Sequence, residues 1–388
     1  MEKNTLWIVS ELFYPEESAT AFILTNIAIK LKEKYIVNVI TGNPIYETVK
    51  ENDGNLLDGI NLFRVDGQLI NKNNIISRLK RAMLLTFKFS SFLKKNAHKN
   101  DKVLAVTNPA FNILNISKVC QKKKLNLIIL AHDIFPENSI AAGIFKSKGF
   151  LYNVILRKFN NAYERANSIV AIGNDMKAVL ETKIKKNINV NIKYIPNWAN
   201  TDVLQYMKYN QKKKIVIKFA GNIGRVQGID NLVEIISRIK NPNVKFVFQG
   251  AGACKNLVQN KECINIFYKE PYNRSEEQDA IAECTIGLIS LASDMYGLGV
   301  PSKTYNLLAC GRPILFIGPK DSEVYNLVKI NDVGWAFDIN EEEKIISFLE
   351  NLTLDDFTQF EKKCKMAREL AEQYFSKEEI LNKFFEEI

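Results

Sequence analysis

Two glycine-bearing stretches in the second half of the sequence carry the residue types needed to hold a phosphate. In the first, the apolar run Ile215 to Ala220 ends in Gly221-Asn222-Ile223-Gly224-Arg225-Val226-Gln227-Gly228, and a helical pattern follows from Ile229 to Lys240. Glycines let backbone amides come close to an anion, and a helix start adds unpaired N–H groups and partial positive charge. The spacing is not GxGxxG, so no dinucleotide fingerprint is met, and by itself such a loop is an ordinary tight turn. The second stretch is Tyr296-Gly297-Leu298-Gly299-Val300-Pro301-Ser302-Lys303-Thr304-Tyr305-Asn306, with Pro301 ahead of a short helix that Gly311 ends. The amides of Ser302, Lys303 and Thr304 are expected to be its unpaired first-turn donors. Lys303 placed there can neutralise a diphosphate and stabilise it as it departs. Two such loops in one α/β lobe define a crevice at the carboxyl ends of its strands.

The elements that must position these loops are visible as apolar runs alternating with helical patterns. In the first half the runs are Leu6 to Ser10, Val37 to Thr41, Val103 to Val106, Leu127 to Leu130, Ile169 to Ile172 and Lys193 to Ile195. In the second they are Ile215 to Ala220, Lys245 to Gln249, Ile264 to Phe267, Ile286 to Leu291 and Pro313 to Ile317. This alternation is the mark of parallel sheets covered by crossover helices. A polar interval from Pro196 to Lys214 separates the two sets. The spacing predicts an α/β protein of two Rossmann-like domains, residues 1–200 and 201–369, with a C-terminal helix at about 370–388 completing the first.

The chain has 388 residues, 46% of them hydrophobic and 25% charged, and a slightly negative mean hydropathy, as in soluble globular proteins. No apolar run approaches the roughly 18 residues of a spanning helix, and the first residues read as a buried strand and not a signal peptide. A cytoplasmic protein is expected. Six cysteines lie scattered without a CxxC, which points to reduced, buried thiols. The two histidines, His98 and His132, argue against a multi-histidine metal centre. The net charge of +10 is uneven: residues 1–200 hold 29 Lys and Arg against 16 Asp and Glu, and the remainder 24 against 27. The excess positive charge therefore sits wholly in the first half, as it does in proteins that meet an anionic partner, although a lysine-rich solvated surface has the same composition.

Seven short motifs, in order along nearly the whole chain, make it resemble the family 4 glycosyltransferases of the GT-B fold, in the branch that builds capsule, O-antigen and exopolysaccharide units. They are Phe13-Tyr14-Pro15-Glu16, Thr107-Asn108-Pro109, Asp133-Ile134-Phe135-Pro136-Glu137, Ile195-Pro196-Asn197-Trp198, Phe219-Ala220-Gly221-Asn222-Ile223-Gly224, Gln249-Gly250-Ala251-Gly252, and Val300-Pro301-Ser302-Lys303 with Ala309-Cys310-Gly311-Arg312-Pro313. The resemblance implies two parallel sheets facing across a cleft and a retaining hexosyl transfer from a nucleotide-sugar donor, UDP-linked by family habit, to a lipid-linked or growing saccharide. It implies donor contacts at Gly221, Asn222, Gly224, Arg225, Gln227, Gly250, Gly299, Ser302, Lys303, Thr304 and Asn306. Acceptor-side contacts fall at Glu16, Ser18, Thr20 and Asn108, and the catalytic position at His132 with Asp133 and Glu137 beside it. The sequence departs from the family where two glutamates are usual, at Leu298 and Asn306, and where an arginine and a lysine are usual, at Asn222 and Gln227. Asn306 can hydrogen-bond ribose hydroxyls only as a neutral group, and Arg225 and Lys303 are left as the cations. The acceptor loop lacks the usual glycines, so Ser18 and Thr20 are expected to cap the next helix. No DxD motif accompanies the nucleotide loops, Asp355-Asp356 lying far along the chain, so neither a metal ion nor any other cofactor is expected. Retention without an enzyme nucleophile implies front-face displacement.

Between Asn71 and Asn100 there are eight Lys and Arg (Lys72, Arg78, Lys80, Arg81, Lys88, Lys94, Lys95, Lys99) and no acidic residue, interleaved with Ile75, Ile76, Leu79, Met83, Leu84, Phe87, Phe89, Phe92 and Leu93. This pattern fits either a helix lying on an anionic inner-membrane leaflet or a lobe helix with a solvated basic edge. Three other readings compete: a GT-B-fold sugar-nucleotide epimerase, a catalytically inactive nucleotide-binding subunit, and a nucleic-acid-binding protein. The last leaves the two phosphate-type loops in the acidic half unexplained, and no nucleic-acid partner is expected.

Overall fold

Leu6-Trp7-Ile8-Val9 has no side chain suited to water, and it lies in a strand buried on both faces, as parallel strands between helix layers are. The computed structural model describes residues 3–44, 56–67, 75–141, 143, 149–184, 189–208, 214–353 and 357–388. Its first unit contains β1 (Thr5–Val9), β2 (Ile36–Gly42), β3 (Ile60–Val65), β4 (Lys102–Val106), β5 (Asn126–Ala131), β6 (Ser168–Ala171) and β7 (Asn191–Tyr194) in one sheet, all neighbours parallel, in the order β3-β2-β1-β4-β5-β6-β7. The second contains β8 (Ile215–Ala220), β9 (Val244–Gln249), β10 (Ile266–Lys269), β11 (Ile286–Ser290), β12 (Ile314–Gly318) and β13 (Gly334–Asp338), again parallel, in the order β10-β9-β8-β11-β12-β13.

Each order reverses direction once. In the first sheet the chain runs outward from β1 through β2 and β3, then returns to place β4 on the other side of β1. In the second it runs out from β8 through β9 and β10 and returns to β11 beside β8. The loops leaving the carboxyl ends of the two central strands part company at such a reversal and leave a crevice for a ligand. The fold thereby selects the loops after β1 and β4, and those after β8 and β11. The core of the second sheet includes Ile217, Phe219, Phe246, Phe248, Leu288 and Ile317, packed against Leu232, Ile235 and Ile236 of the helix Ile229–Ser237. Each such aliphatic side chain contributes about 1.5–3 kcal/mol on burial.

The chain divides by packing into Met1–Glu137, Ser147–Pro196 and Leu381–Ile388 on one side, and Asn138–Lys146 and Asn197–Ile380 on the other. Within the first unit the last turn is fastened by Tyr35 Oη, which donates to the Ile388 carbonyl at 2.6 Å, and by the Lys193–Glu387 ion pair. The excursion that starts at Asn138 and joins the second unit has no signal in the sequence pattern. Its Gly143 adopts φ +74°, and a Cβ there would lie 2.4 Å from a guanidinium nitrogen of Arg225.

Sequence and structure differ at several points. The two strands with no recognisable run, β3 and β13, are both sheet edges, where one side faces no further strand and the apolar pattern thins: β3 carries Asn61 and Arg64. Cys263 is exposed, unlike the other five cysteines, and all six are free thiols. Arg81, counted above with the surface cations, is buried and paired with Glu11. Burial raises the Glu11 pKa, and the Arg81 hydrogen bond and charge oppose that rise. Lys72, Asp355, Asp356 and Gln211 to Lys213 lie outside the described residues. No described helix is long and apolar enough to cross a membrane.

Candidate functional site

At the reversal of the first sheet, three loops are tied together by backbone and side-chain hydrogen bonds. The Glu11 amide donates to the Asn108 carbonyl at 3.1 Å, joining the loops after β1 and β4. Thr107 Oγ1 accepts from the amides of both His132 and Asp133 at 3.2 Å, joining the loop after β4 to the one after β5. Asn112, fully buried, donates from Nδ2 to the carbonyls of Val9 and Val106, each at 3.1 Å, and so rivets the ends of β1 and β4. Thr107 was named in the sequence only as part of Thr107-Asn108-Pro109, without this role, and Asn112 was not singled out: each acts through a contact with a neighbouring strand that the local pattern does not contain.

Ser18 caps the helix Ala19–Leu31, its side chain accepting from the Ala21 amide at 3.1 Å, while the half-buried Thr20 lies in the first turn. Glu16 is buried. His132 keeps some exposed surface, but its Nε2 is sealed and has no hydrogen-bond partner, and burial lowers its pKa to about 4. The imidazole is therefore neutral at ordinary pH. Glu137 forms an ion pair with Lys183, whose side chain is only 4% exposed and whose pKa is lowered by burial against the pull of Glu137.

In the second unit, the stretch Gly221 to Gly228 follows β8 and folds into a turn of 3-10 helix, Arg225–Gln227, ahead of the helix Ile229–Ser237. It is shaped by two neighbours. The Ile223 amide donates to the Ala251 carbonyl at 2.7 Å, and a Cβ on Gly250 would fall 1.8 Å from the Gly221 carbonyl oxygen, so only glycine permits the approach of the loop after β9. On the other side, the Ala292 amide donates to the Val226 carbonyl at 3.0 Å and Ser290 Oγ to the Gln227 carbonyl at 2.7 Å, which brings in the loop after β11. Gly224 sits under the side chains of Asn222 and Gln227, and the Arg225 side chain is exposed.

The loop after β11 passes through Gly297 (φ +65°) and Gly299 to Pro301, Ser302 and the helix Lys303–Ala309. Leu298, where the resemblance places a glutamate, is buried and apolar. Of the three amides expected to be unpaired, that of Thr304 donates to the Pro301 carbonyl at 3.2 Å, because the first turn closes early. The Thr304 hydroxyl is buried without a partner. Lys303 Nζ lies 2.9 Å from Tyr272 Oη and is paired with Glu277, and Asn306 Nδ2 donates to the same Glu277 oxygen at 3.0 Å. Burial works against the Lys303 charge, yet Glu277 and Tyr272 outweigh it and raise its pKa; burial raises that of Tyr272. Tyr272 and Glu277 escaped the sequence reading, since neither lies in a recognisable motif.

The chain is 32% identical over 278 residues to a Pseudomonas aeruginosa protein named probable glycosyltransferase WbjE, covering 68% of this chain and 69% of that protein. It is 22% identical over 336 residues to an Escherichia coli K12 protein named putative colanic acid biosynthesis glycosyl transferase WcaI, covering 80% of each. Among solved structures it resembles Anabaena HepE in complex with UDP-glucose, with a TM-score of 0.69 at 14% identity and 99% of each chain covered. No family model matches the chain.

Proposed function

The chain belongs to the family 4 glycosyltransferases of the GT-B fold that act in polysaccharide biosynthesis, and from that premise we propose that it moves a hexose from a UDP-linked donor, held by the second unit, to a lipid-linked or growing saccharide with retention at the anomeric carbon. The observation that carries the reading is the convergence of the Gly221–Gly228 loop and the Lys303 loop where the second sheet reverses. Such a crevice offers backbone amides and fixed cations to a diphosphate. In the proposed step the bond between the sugar C1 and the phosphate oxygen breaks and an acceptor hydroxyl oxygen bonds to C1 on the same face. The hydroxyl proton passes to the departing phosphate oxygen. Lys303 and Arg225 offset the charge growing on the leaving diphosphate, and His132 offers a neutral imidazole to a sugar hydroxyl. No metal ion or cofactor is assigned a part.

The reading extends to a membrane surface for the first unit. The helix Ile75–Asn96 turns Phe89 and Leu93 inward but leaves Leu79, Met83 and Phe87 exposed at intervals of four residues, Phe87 by 65%. Arg78, Lys80, Lys94 and Lys95 are exposed on the same helix. An apolar stripe flanked by cations suits an anionic lipid surface, where a lipid-linked acceptor is met.

The donor reading is tested by thermal shift with UDP, GDP, ADP and CMP in the presence of EDTA. UDP at about 100 times its dissociation constant adds about 2.7 kcal/mol of stability, and Lys303→Ala is expected to shrink the UDP shift, whatever it does to the ligand-free melting temperature. If no nucleotide shifts the wild type, the donor site proposed here does not exist.

A further inference from the structure

We propose that Glu277, with Asn306 beside it, reads the vicinal hydroxyls of the donor ribose, supplying through space a carboxylate that the helix Lys303–Ala309 does not carry. The inference rests on the nucleotide-sugar reading above and names the residues that recognise the nucleoside.

Glu277 opens the helix Glu277–Ala282 and its side chain is only 8% exposed. Burying a carboxylate is costly unless hydrogen bonds or a counter-charge compensate it. Two donors do so, Lys303 Nζ and Asn306 Nδ2, and both fall on Oε1. Oε2 receives neither, and an ionised carboxylate has acceptor sites on both oxygens. The same bond fixes the Asn306 amide. A carboxylate only accepts, so Nδ2 faces it and Oδ1 points elsewhere as a second open acceptor.

Charge pairing alone does not account for this arrangement. The Lys303 side chain is 36% exposed and could be solvated without a partner, whereas Glu277 is the group that burial penalises. A carboxylate beside the lysine also repels any ligand that is only an anion, such as inorganic diphosphate. A nucleoside diphosphate presents both an anion for Lys303 and, one sugar away, two adjacent O–H donors. Glu277 and Asn306, joined to each other by a hydrogen bond, each keep a further acceptor oxygen, Oε2 and Oδ1, for that pair. A site built on buried acceptors discriminates strongly against a ligand that lacks the matching hydroxyl.

The experiment is calorimetric titration of the full-length protein with UDP, 2′-deoxy-UDP and 3′-deoxy-UDP. Wild type is expected to prefer UDP to a deoxy analogue by about 10- to 100-fold, the value of one hydrogen bond to a charged group. Glu277→Gln keeps the shape and an acceptor for Lys303 and Asn306 but is expected to bring the ratio to within a few-fold of one. Adding Asn306→Glu to that variant returns a carboxylate from the neighbouring helix and is expected to restore the preference. Equal binding of UDP and both deoxy analogues by wild type overturns the proposal and leaves the donor reading standing. So does a Glu277→Gln variant that weakens all three in the same proportion, which marks Glu277 as structural. Failure of wild type to bind any of the three removes both.

Discussion

His132 makes the fold sensitive to acid in a defined window. Its folded pKa of about 4 lies below the ordinary value of 6.5, so between those values the unfolded chain takes up the proton more readily than the folded one. Stability is unaffected above pH 6.5 and falls as the pH drops towards 4, by at most about 1.4 kcal/mol per pH unit from this group. Urea unfolding from pH 7 to 4.5 is expected to show a shallower loss for His132→Gln; an unchanged slope would place the sensitivity elsewhere. Glu137 calls for a different test because its partner is the buried Lys183. Glu137→Gln strands that lysine and is expected to cost about 3–5 kcal/mol in urea unfolding, most of it regained when Lys183→Met is added. If the double variant is folded yet inactive while Lys183→Met alone turns over, the carboxylate also serves the reaction. The position of His132 directly after a buried strand was legible in the sequence. The partners of Glu137 and Asn306 were not, because 46 and 29 residues separate them and only the fold closes those gaps.

At the scale of elements, the Gly221–Gly228 loop is moulded by the loop beside it. A Cβ on Gly250 would strike the Gly221 carbonyl oxygen at 1.8 Å, and one on Gly252 would meet the Ile223 carbonyl oxygen at 2.3 Å. Backbone cannot yield as a flexible side-chain tip does, so Gly250→Ala must push the Gly221–Gly228 loop away from β9. We expect a loss of about 1–3 kcal/mol of stability and, in calorimetric titration, UDP binding weaker by about tenfold or more. Binding at wild-type strength would show that the amides of this loop do not hold the ligand. The central strands could be read from sequence because strands covered on both faces become unbroken apolar runs. Of the four edge strands, β7 and β10 gave readable runs but β3 and β13 did not, and in β3 the apolar pattern is broken by Asn61 and Arg64. The Asn138 excursion was equally invisible, as its membership of the second unit depends on packing around Gly143 and Arg225 and not on any periodicity.

Across the whole molecule, charge separates two binding tasks that should respond differently to salt. The first 200 residues carry a net +13 and the rest a net −3, so on the proposed reading contact with an anionic surface would fall to the first half, while the donor would be held by a few fixed groups in the second. Attraction between exposed charges and a lipid surface decays within a Debye length, about 10 Å at 0.1 M salt and about 3 Å at 1 M. A partly buried Lys303 tied to Glu277 and Tyr272 is screened far less. Sedimentation with vesicles containing anionic lipid is therefore expected to be strong at about 0.05 M salt and to fall by about tenfold or more near 0.5 M, while the UDP thermal shift changes little over the same range. Replacing Leu79, Met83 and Phe87 by serine removes apolar surface that is 44%, 51% and 65% exposed, so it should weaken sedimentation at low salt in protein that stays folded, with a modest drop in melting temperature from the covered part and the lower helix propensity. Vesicle binding that ignored both salt and these substitutions would deny the helix Ile75–Asn96 its part, and the excess positive charge would then be no more than a solvated lysine-rich surface.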